Sequence, residues 1–213
     1  MQAAVIHATT MAIKPIEKAF QDTFSGIKLL HLVDTGLVPM IKEQGELTPA
    51  IIRRFARLLE SAEESGVDCI QLTCSAFNNV TAILQPLCTA KLFRSDEGML
   101  DQALEYERIG LISTMKETPP ALISYLEEKR PGIQVKSLVN DQAFQLMLRG
   151  ETAEHDRLVI DMISSMEDVD VIVLAQYSLA HLEKAVAVQV PVLTGPKAAA
   201  DRCVAYLKGL TQT

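Results

Sequence analysis

The stretch VDCIQLTCSAF, residues 67–77, recurs in pattern about a hundred residues later as VDVIVLAQYSL, residues 169–179. Each copy begins with Val-Asp, continues through a short apolar run typical of a buried parallel strand, and ends in small or polar residues. Cys74 of the first copy and Gln176 of the second stand at the same place, directly after the strand. The repeat predicts two related β-α units, and its one chemical difference raises the question of what the thiol does.

Short β-branched runs alternate with helical patterns along the whole chain, which is typical of parallel sheets covered by helices. Helix starts are indicated by Thr48-Pro49, Pro119-Pro120 and Gly195-Pro196, and Gly66 ends the helix that begins at Pro49. We predict eight strands, near residues 3–7, 27–33, 69–73, 91–93, 109–112, 134–139, 171–175 and 192–193.

Two further segment pairs match in the same order along the chain. ATTMAIKPI pairs with ISTMKETPP, so that Thr10 matches Thr114, and LFRSDE pairs with VLTGPK. Such self-similarity indicates a duplicated half-domain, although buried strands of any two β-α units draw on the same residues. We predict an α/β fold of two pseudosymmetric three-layer half-domains, each with a four-stranded mainly parallel sheet, and an active-site cleft between them. The first half-domain comprises residues 1–97 plus 197–213, and the second comprises residues 98–196.

The composition argues against several classes of function. The chain has 213 residues, of which 48% are hydrophobic, and its net charge of −7 comes from dispersed residues without the basic patch of a nucleic-acid surface. No apolar run reaches the roughly 18 residues that span a bilayer, and the opening MQAAVIHATT lacks signal-peptide features. We therefore expect a cytoplasmic protein with no nucleic-acid or membrane partner. The four cysteines form no CxxC or Cys/His cluster, so we expect free thiols and no metal.

Cys74 is the strongest candidate for chemistry. Its predicted place is a strand-to-helix turn, where the free N–H groups of a helix start lower the pKa of a thiol and favour the thiolate. A thiolate acts as a base or a nucleophile. The alternative is that Cys74 is a small core residue, as we expect for Cys69, while Cys88 and Cys203 are predicted to serve packing.

Hydroxyl and amide side chains follow the strands of both halves. Loops at the carboxyl ends of parallel strands commonly bind ligands, and we expect the two sets of loops to face each other. Carboxylates are bound by such hydroxyls and by helix N-terminal amides, whereas the alternative role for the hydroxyls is to cap their own helices. His7 and His31 lie in apolar strands, and we predict that they are hydrogen-bonded structural residues. The predicted substrate-binding residues are Thr9, Thr10, Ser75, Ser113, Thr114, Tyr177 and Ser178.

Several segments, in order and spacing, resemble the aspartate/glutamate/hydantoin racemase superfamily over nearly the whole chain. They are the LTCSAF and LAQYSL loops, the opening HATTMAIKPI, LTPAIIRRFARL, GETAEHDRLV and the closing PVLTGP. The resemblance implies two pseudosymmetric α/β halves, no cofactor and no metal. It also implies a mechanism in which two cysteines, one from each half, remove and return a proton on opposite faces of a carbon next to a carboxylate.

This chain departs from that pattern at the second cysteine. Cys74 matches the first family cysteine, but Gln176 fills the second position, and an amide cannot exchange a proton as a thiol does. The resemblance therefore implies a cofactor-independent, racemase- or isomerase-like enzyme acting on a small carboxylate, such as an amino acid or a related acid. Its catalytic residues are predicted to be Cys74, as base or nucleophile, and Gln176, as a polar partner.

Alternatives remain at this stage. One is a single-cysteine isomerase or decarboxylase of a small dicarboxylate, and another is a non-catalytic protein that binds small anions. The sequence leaves the oligomeric state open, including a homo-oligomer.

Overall fold

The computed structural model describes residues 1–210 and contains two four-stranded sheets, each entirely parallel. The strand order is β2-β1-β3-β4 in the first sheet and β6-β5-β7-β8 in the second, so the two sheets share one topology. The predicted α/β fold with two four-stranded parallel sheets is confirmed. The strands are β1 (Gln2–His7), β2 (Lys28–Val33), β3 (Cys69–Leu72), β4 (Lys91–Phe93), β5 (Arg108–Ser113), β6 (Gln134–Val139), β7 (Val171–Leu174) and β8 (Val192–Thr194).

Helices cover the sheets and connect their strands. Within residues 1–210, every helix is too short or too polar to cross a membrane. The α-helices are α1 (Ile13–Thr23), α2 (Leu37–Gln44), α3 (Pro49–Glu64), α4 (Thr81–Leu84), α5 (Glu97–Ala103), α6 (Thr118–Lys129), α7 (Asp141–Leu148), α8 (Thr152–Ser164) and α9 (Gly195–Leu210). Four short 3₁₀ helices span Thr10–Ala12, Ser75–Val80, Gln85–Leu87 and Tyr177–Leu182.

Helix α3 shows how local sequence signals set an element. Thr48 is its N-cap and accepts a hydrogen bond from the Ile51 backbone N–H, while Pro49 occupies the first turn, where no N–H is needed. The helix ends just before Gly66, whose φ of +68° suits glycine. The predicted start at Pro49 and end at Gly66 are therefore confirmed, as are the helix starts near Pro119 and at Gly195.

The chain divides into two compact units, residues 1–97 with the segment from residue 199 onward, and residues 98–198. In the first unit, β1 and β3 place Ile6, Ile70 and Leu72 in a core with Phe55 of α3 and Phe77. The rings of Phe55 and Phe77 stack with centroids 4.1 Å apart. Burial of such aromatic and aliphatic surface is the main force that holds the helix layer on the sheet.

In the second unit, alternate residues of β5 and β7 enter two separate cores, as the two-residue period of a strand requires. Ile109, Leu111 and Val171 pack on one side of the sheet with α5 and α6. Ile112 and Ile172 pack on the other side with α7 and α8. Both faces are therefore buried, which explains why these strands read as continuous apolar runs.

Helix α9 contributes to both units along its length. Ala198 belongs to the core that contains Ile109, whereas the helix from residue 199 onward belongs to the first unit. There the Cys203 thiol donates to Gln71 Oε1 of β3 at 3.3 Å, and the Tyr206 ring meets Phe93 of β4 edge to face. The C-terminal helix thus completes the layer behind β3 and β4.

The two units repeat each other in hydrogen bonding as well as in strand order. Asp68 Oδ2 accepts the backbone N–H of Gln2 at 2.8 Å, and Asp170 Oδ2 accepts that of Arg108 at 2.9 Å. These bonds tie the start of the third strand of each unit to the start of its first strand. The paired Asp68 and Asp170 of the repeated sequence phrase therefore have the same structural role.

The strand register corrects one part of the expected alignment between the halves. Ile6 of β1 pairs with Leu72 of β3, and Ile112 of β5 pairs with Leu174 of β7, which makes Ile6 and Ile112 equivalent. His7 is then equivalent to Ser113, and Thr114 to Ala8 rather than to Thr10. The Thr-Met and proline residues that ATTMAIKPI and ISTMKETPP share favour the alignment of Thr10 with Thr114. The register is instead fixed by the hydrogen bonds between the strands.

Candidate functional site

Cys74 lies two residues beyond the end of β3, at the N-cap of the 3₁₀ helix Ser75–Val80. Its backbone is extended (φ −119°, ψ 116°), and the residue as a whole is half-buried. Gln176 holds the equivalent place after β7, with φ −117° and ψ 146°, before the 3₁₀ helix Tyr177–Leu182. The sequence repeat therefore corresponds to the same strand–turn–helix geometry in each unit.

The expectation that the turn after β3 lowers the pKa of Cys74 is wrong. Burial raises the pKa of Cys74, and a hydrogen bond from the backbone N–H of Ala76 only partly opposes that rise. The following helix has six residues of 3₁₀ geometry, so it offers the thiolate little of the aligned dipole that a long α-helix would supply. The Cys74 side chain is consequently a neutral thiol at neutral pH.

A chain of hydrogen bonds reaches the residue that precedes Cys74. Thr73 Oγ1 lies 3.0 Å from His7 Nδ1, and His7 Nε2 lies 2.9 Å from His31 Nδ1. His31 Nε2 is 3.4 Å from the Glu17 carboxylate. The expectation that His7 and His31 are hydrogen-bonded residues in strands is confirmed. Their contact with Thr73 was missed, because only the pairing of β1 with both β2 and β3 brings the three side chains together.

A second polar cluster of the first unit joins the 3₁₀ helix after Cys74 to the loop after β4. Asn78 Nδ2 donates to Ser95 Oγ and Asn78 Oδ1 accepts the Ser95 backbone N–H, both at 3.0 Å. Asp96, the residue after Ser95, is buried and pairs with Arg94 at 3.0 Å. Sequence reasoning missed Asn78, since its pairing with Ser95 depends on β3 and β4 being neighbours.

Gln176 connects the ends of β5 and β7 through its amide group. Its Oε1 accepts the Thr114 backbone N–H at 3.2 Å, and its Nε2 donates to Ser113 Oγ at 2.9 Å and lies 3.4 Å from Thr118 Oγ1. Ser113 Oγ in turn donates to the Met115 carbonyl at 2.7 Å. Because the Thr114 N–H can only donate, the orientation of the Gln176 amide is determined by its neighbours. Gln176 therefore has a structural role that its sequence position did not indicate.

The remaining predicted binding residues lie at the carboxyl edges of the two sheets, each within its own unit. Thr9, Thr10 and Ser75 follow β1 and β3 in the first unit, where Thr10 is exposed and the other two are half-buried. Ser113, Thr114, Tyr177 and Ser178 follow β5 and β7 in the second unit. The structure thus gathers each set on two neighbouring strands, because β1 pairs with β3 and β5 with β7.

Two members of the second set, Thr114 and Tyr177, are buried. Thr114 is 1% exposed, and within the described residues its hydroxyl has no hydrogen-bond partner. It therefore does not cap a helix, which was the alternative role for the hydroxyls. The Tyr177 ring is buried against Gly195, where an added Cβ would lie 2.6 Å from a ring carbon. Glycine at position 195 is required there to let the ring pack.

Replacing Gln176 by leucine should lower the free energy of unfolding of the second unit by about 1–3 kcal/mol, because the buried Ser113 and Thr114 lose hydrogen-bond partners. Urea unfolding followed by circular dichroism measures the effect. The matched control is Gln142→Leu on the exposed side of α7, which should change stability by no more than about 0.5 kcal/mol. Equal stability of both variants would contradict the structural role of the amide.

The four thiols should separate into two classes on alkylation of the native protein. Cys74 and Cys88 are partly exposed, whereas Cys69 and Cys203 are buried in the first unit. We expect iodoacetamide to modify Cys74 and Cys88 in the folded chain and to reach the other two only after unfolding. Peptide mass spectrometry over time measures each site, and early modification of Cys69 would show that β3 is open to solvent.

Among residues 1–210, no cluster of three or more histidine, cysteine or acidic side chains is arranged to hold a metal ion. The hydrogen-bonding side chains described above on the residues around Cys74 include the Thr73 hydroxyl with His7 and the Asn78 amide with Ser95. An arrangement of this kind supports hydrogen bonding to an anion and proton transfer by the thiol.

One protein-family model matches nearly the whole chain. The family model for Asp/Glu/hydantoin racemase matches residues 6–203. A sequence comparison with curated proteins finds no match.

Solved structures of racemases share the fold at low sequence identity. Glutamate racemase from Francisella tularensis superposes with a TM-score of 0.76 at 15% identity, covering 99% of this chain and 82% of that one. Picrophilus torridus aspartate racemase gives 0.73 at 15% identity over 97% and 94% of the two chains, and allantoin racemase from Klebsiella pneumoniae gives 0.71 at 16% over 99% and 89%. Since the family model spans almost the whole sequence, the chain belongs to the Asp/Glu/hydantoin racemase family and is a racemase-type enzyme.

Proposed function

We propose that this enzyme transfers a proton on one face of a carbon next to the carboxylate of a small acid, without a cofactor, and that Cys74 carries the proton. The observation that carries the proposal is the difference between two equivalent positions. Cys74 presents a thiol at the carboxyl end of β3, whereas Gln176 presents an amide that is held by Ser113 and Thr114. A thiol exchanges a proton near neutral pH and an amide does not.

Each step of the proposed reaction conserves the proton. The Cys74 thiolate removes the proton next to the substrate carboxylate, which leaves a carbanion and a neutral thiol. The thiol exchanges its proton with solvent and then returns a proton to the same carbon from the same side, which regenerates the thiolate. Because no thiol stands at position 176, the configuration is retained, and in heavy water deuterium replaces hydrogen without formation of the mirror-image acid.

Substrate recognition is proposed to use hydroxyls and backbone N–H groups at the sheet edges. The candidates are Thr9, Thr10 and Ser75 of the first unit and Ser113, Thr114, Tyr177 and Ser178 of the second. The Thr114 hydroxyl supports this assignment, since it is buried and unpartnered within the described chain and would gain a hydrogen bond from an anion. Carboxylate oxygens are strong acceptors for such donors.

A second reaction is favoured by the raised pKa of Cys74. A thiol that stays protonated at neutral pH is suited to donate its proton to a carbanion formed by loss of carbon dioxide from a substituted malonate. In that reaction the carbon–carboxylate bond breaks, the electron pair stays on the carbon, and Cys74 supplies the proton. Solvent afterwards reprotonates the thiolate.

A screen in heavy water tests the proposed function. Glutamate, aspartate and allantoin, the substrates named for the structural relatives, would be incubated with the enzyme beside small 2-hydroxy acids and substituted malonates. Proton NMR reports deuterium incorporation and loss of carbon dioxide, and chiral chromatography reports configuration. We expect exchange with retained configuration, or one-sided decarboxylation, for at least one acid.

The other outcomes of the screen are equally informative. Formation of the opposite enantiomer would contradict the one-thiol reaction, since racemisation needs an acid on the second face. A compound that raises the melting temperature but is never transformed would identify a protein that binds small anions without catalysis.

A further inference from the structure

The second unit contains buried polar atoms that lack a hydrogen-bond partner within residues 1–210. Two of them are Thr114 Oγ1, just after β5, and His155 Nε2, near the start of α8. Thr114 and His155 are each 1% exposed. A buried polar group without a partner costs free energy, so these atoms call for a partner from outside the chain, either a ligand or a water molecule.

Helix α8 runs back along β5, so that later helix residues meet earlier strand residues. An added Cβ on Gly110 would lie 2.8 Å from Cγ of Met166, which follows the end of α8. Two residues further along β5, Ile112 shares a core with Val159, which lies two helical turns before Met166. The helix and the strand therefore pack in layers.

The next layer holds Thr114 and His155. Thr114 lies two residues beyond Ile112 on the same side of the strand, and His155 lies one helical turn before Val159. Two strand residues rise about 6.7 Å and four helix residues about 6 Å, so the two steps match. The two unpartnered atoms thus come from one layer at the carboxyl edge of the second sheet.

The proton of the neutral His155 ring has a determined place. His155 Nδ1 lies 2.7 Å from Asp156 Oδ1, and a carboxylate only accepts, so Nδ1 carries the proton. His155 Nε2 is then a bare nitrogen with one lone pair. Enzymes use the same carboxylate–imidazole arrangement to orient a histidine toward its reaction partner. Asp156 is therefore a positioning residue, because it acts through His155.

The two unpartnered atoms require different groups on a ligand. The Thr114 hydroxyl can donate to a carboxylate oxygen, whereas the bare His155 Nε2 can only accept. A ligand that fills both places carries a carboxylate with a donor group beside it. A hydroxyl has one O–H, which the single lone pair of Nε2 satisfies. An ammonium group has three N–H groups, and the two acceptors present would leave at least one of them unpaired in a buried place.

We propose that Thr114 and His155 form a binding subsite for 2-hydroxy acids, in which Thr114 donates to the carboxylate and His155 Nε2 accepts the adjacent hydroxyl. The subsite narrows the substrate class of the proposed function, on which its link to Cys74 rests. Binding at the subsite depends only on residues of the second unit. Malonates without a hydroxyl leave Nε2 unpaired, so the subsite favours proton exchange on a hydroxy acid over their decarboxylation.

A ligand reaches the subsite by displacing the 3₁₀ helix Tyr177–Leu182. Leu179 of this helix belongs to the core shared with α8, and the His181 ring stacks on that of His155 with centroids 6.4 Å apart. The His181 side chain is 53% exposed, and its Nε2 lies 2.9 Å from Asp156 Oδ1. Contacts of an exposed side chain cost little to break, so the 3₁₀ helix can move away from α8 at a small cost.

Nitrogen-15 NMR of the histidine rings in the full chain tests the subsite at pH 8, where an ordinary imidazole is neutral. The first probes are lactate, propionate, which lacks the hydroxyl, and 2-methoxypropionate, which keeps the oxygen but cannot donate. A bare imidazole nitrogen shifts upfield when it accepts a hydrogen bond. We expect lactate to shift His155 Nε2 upfield and the other two acids to leave it unchanged. Single substitutions of the four histidines assign the signals.

The same comparison pairs malate with succinate and mandelate with phenylacetate, and backbone amide shifts give the dissociation constants. At least one hydroxy acid should bind about tenfold more tightly than its counterpart, which leaves a buried acceptor unpaired. If no hydroxy acid shifts Nε2, or if the counterparts bind equally well, the proposal is overturned and the two atoms share a buried water. A shift of Nε2 by alanine equal to that by lactate would overturn the choice of a hydroxyl.

Two variants separate the roles of the two side chains. His155→Phe keeps a ring but removes the acceptor, so the tenfold preference for the hydroxy acid should fall to about one. Thr114→Val removes only the donor to the carboxylate, so both acids of a pair should weaken by the same factor, about 3- to 10-fold. An unchanged preference in His155→Phe would contradict the assignment. His155→Gln, whose amide oxygen can accept, should keep part of the preference, and it serves where His155→Phe fails to fold.

The tautomer of His155 tests the role of Asp156. In Asp156→Ala no carboxylate holds the proton on His155 Nδ1, so we expect the proton to move to Nε2 and the preference for the hydroxy acid to be lost. The matched control is His181→Gln, which keeps Asp156 and should leave both the tautomer and the preference unchanged. A proton that stays on Nδ1 in Asp156→Ala would show that Asp156 does not orient the ring.

Titration of the Cys74→Ser variant separates this proposal from the proposed function. That variant lacks the thiol that carries the proton, whereas the subsite is unaltered. We expect the same shift of His155 Nε2 and the same preference as in the unmodified protein. Absence of binding in both proteins would refute the subsite alone, and intact binding without deuterium exchange in the unmodified protein would refute the proposed function alone.

Discussion

Cys74→Ser should lower the rate of proton transfer by about 10²- to 10⁴-fold, the usual contribution of a positioned acid–base group. Serine keeps the size and the N-cap position after β3, but its hydroxyl does not ionise in the pH range where a thiol does. The measurement is the initial rate of deuterium incorporation, or of carbon dioxide release, with whichever acid the screen identifies. The melting temperature should stay close to that of the unmodified protein, since the half-buried side chain is replaced by one of similar volume.

The matched control is Cys88→Ser. Cys88 is also partly exposed, and burial likewise raises its pKa, with a further rise from nearby Glu63. It lies at the end of the 3₁₀ helix Gln85–Leu87, away from the carboxyl edge of the sheet. Activity should therefore be unchanged in Cys88→Ser. Full activity in Cys74→Ser would remove this thiol from the mechanism, and a loss in both variants would indicate damage to the fold.

The pH dependence separates the two reactions proposed for Cys74. Its pKa is raised by burial, so the thiolate is the minor form at neutral pH. If the thiolate removes the substrate proton, the rate should rise about tenfold between pH 7 and pH 8, in parallel with the thiolate fraction. If the thiol donates after decarboxylation, the rate should be level in that range and fall only at higher pH.

Acidification from pH 7 to pH 4.5 should lower the free energy of unfolding by about 2–3 kcal/mol through His7 alone. The pKa of His7 is about 4 in the folded chain, because of burial and the neighbouring His31, and about 6.5 in an unfolded chain. Between these two values the unfolded chain binds the proton and the folded chain does not. Stability from His7 is therefore full above pH 6.5 and is lost progressively as the pH falls toward 4.

Urea unfolding at several pH values, monitored by circular dichroism, measures this loss. His7→Gln should be less stable than the unmodified protein at pH 7, because it disturbs the bonds to Thr73 and His31, but its stability should decline less on acidification. His181→Gln serves as the control, since His181 is half exposed and belongs to the other unit. If His7→Gln and the unmodified protein lose stability in parallel, the buried ring does not resist protonation as described.

Local sequence signals determined the elements of this protein. The strands are found where the short β-branched runs predicted them, and α3 begins at Thr48-Pro49 and ends before Gly66 because capping and backbone preferences act over a few neighbouring residues. The recurrence of VDCIQL as VDVIVL also indicated the shared topology of the two sheets, since both copies form the third strand of their unit. The place of Cys74 directly after β3 follows from the same pattern.

Only the tertiary structure decided what surrounds those positions. The pKa of Cys74 is raised because burial of the thiol outweighs the single N–H of Ala76, and burial depends on segments distant in the sequence. The amide of Gln176 is held by Ser113 and Thr114 because β5 and β7 are neighbours in the sheet. His7 meets His31 on one side and Thr73 on the other because β1 lies between β2 and β3. Such contacts depend on strand order and register, which a one-dimensional pattern does not specify.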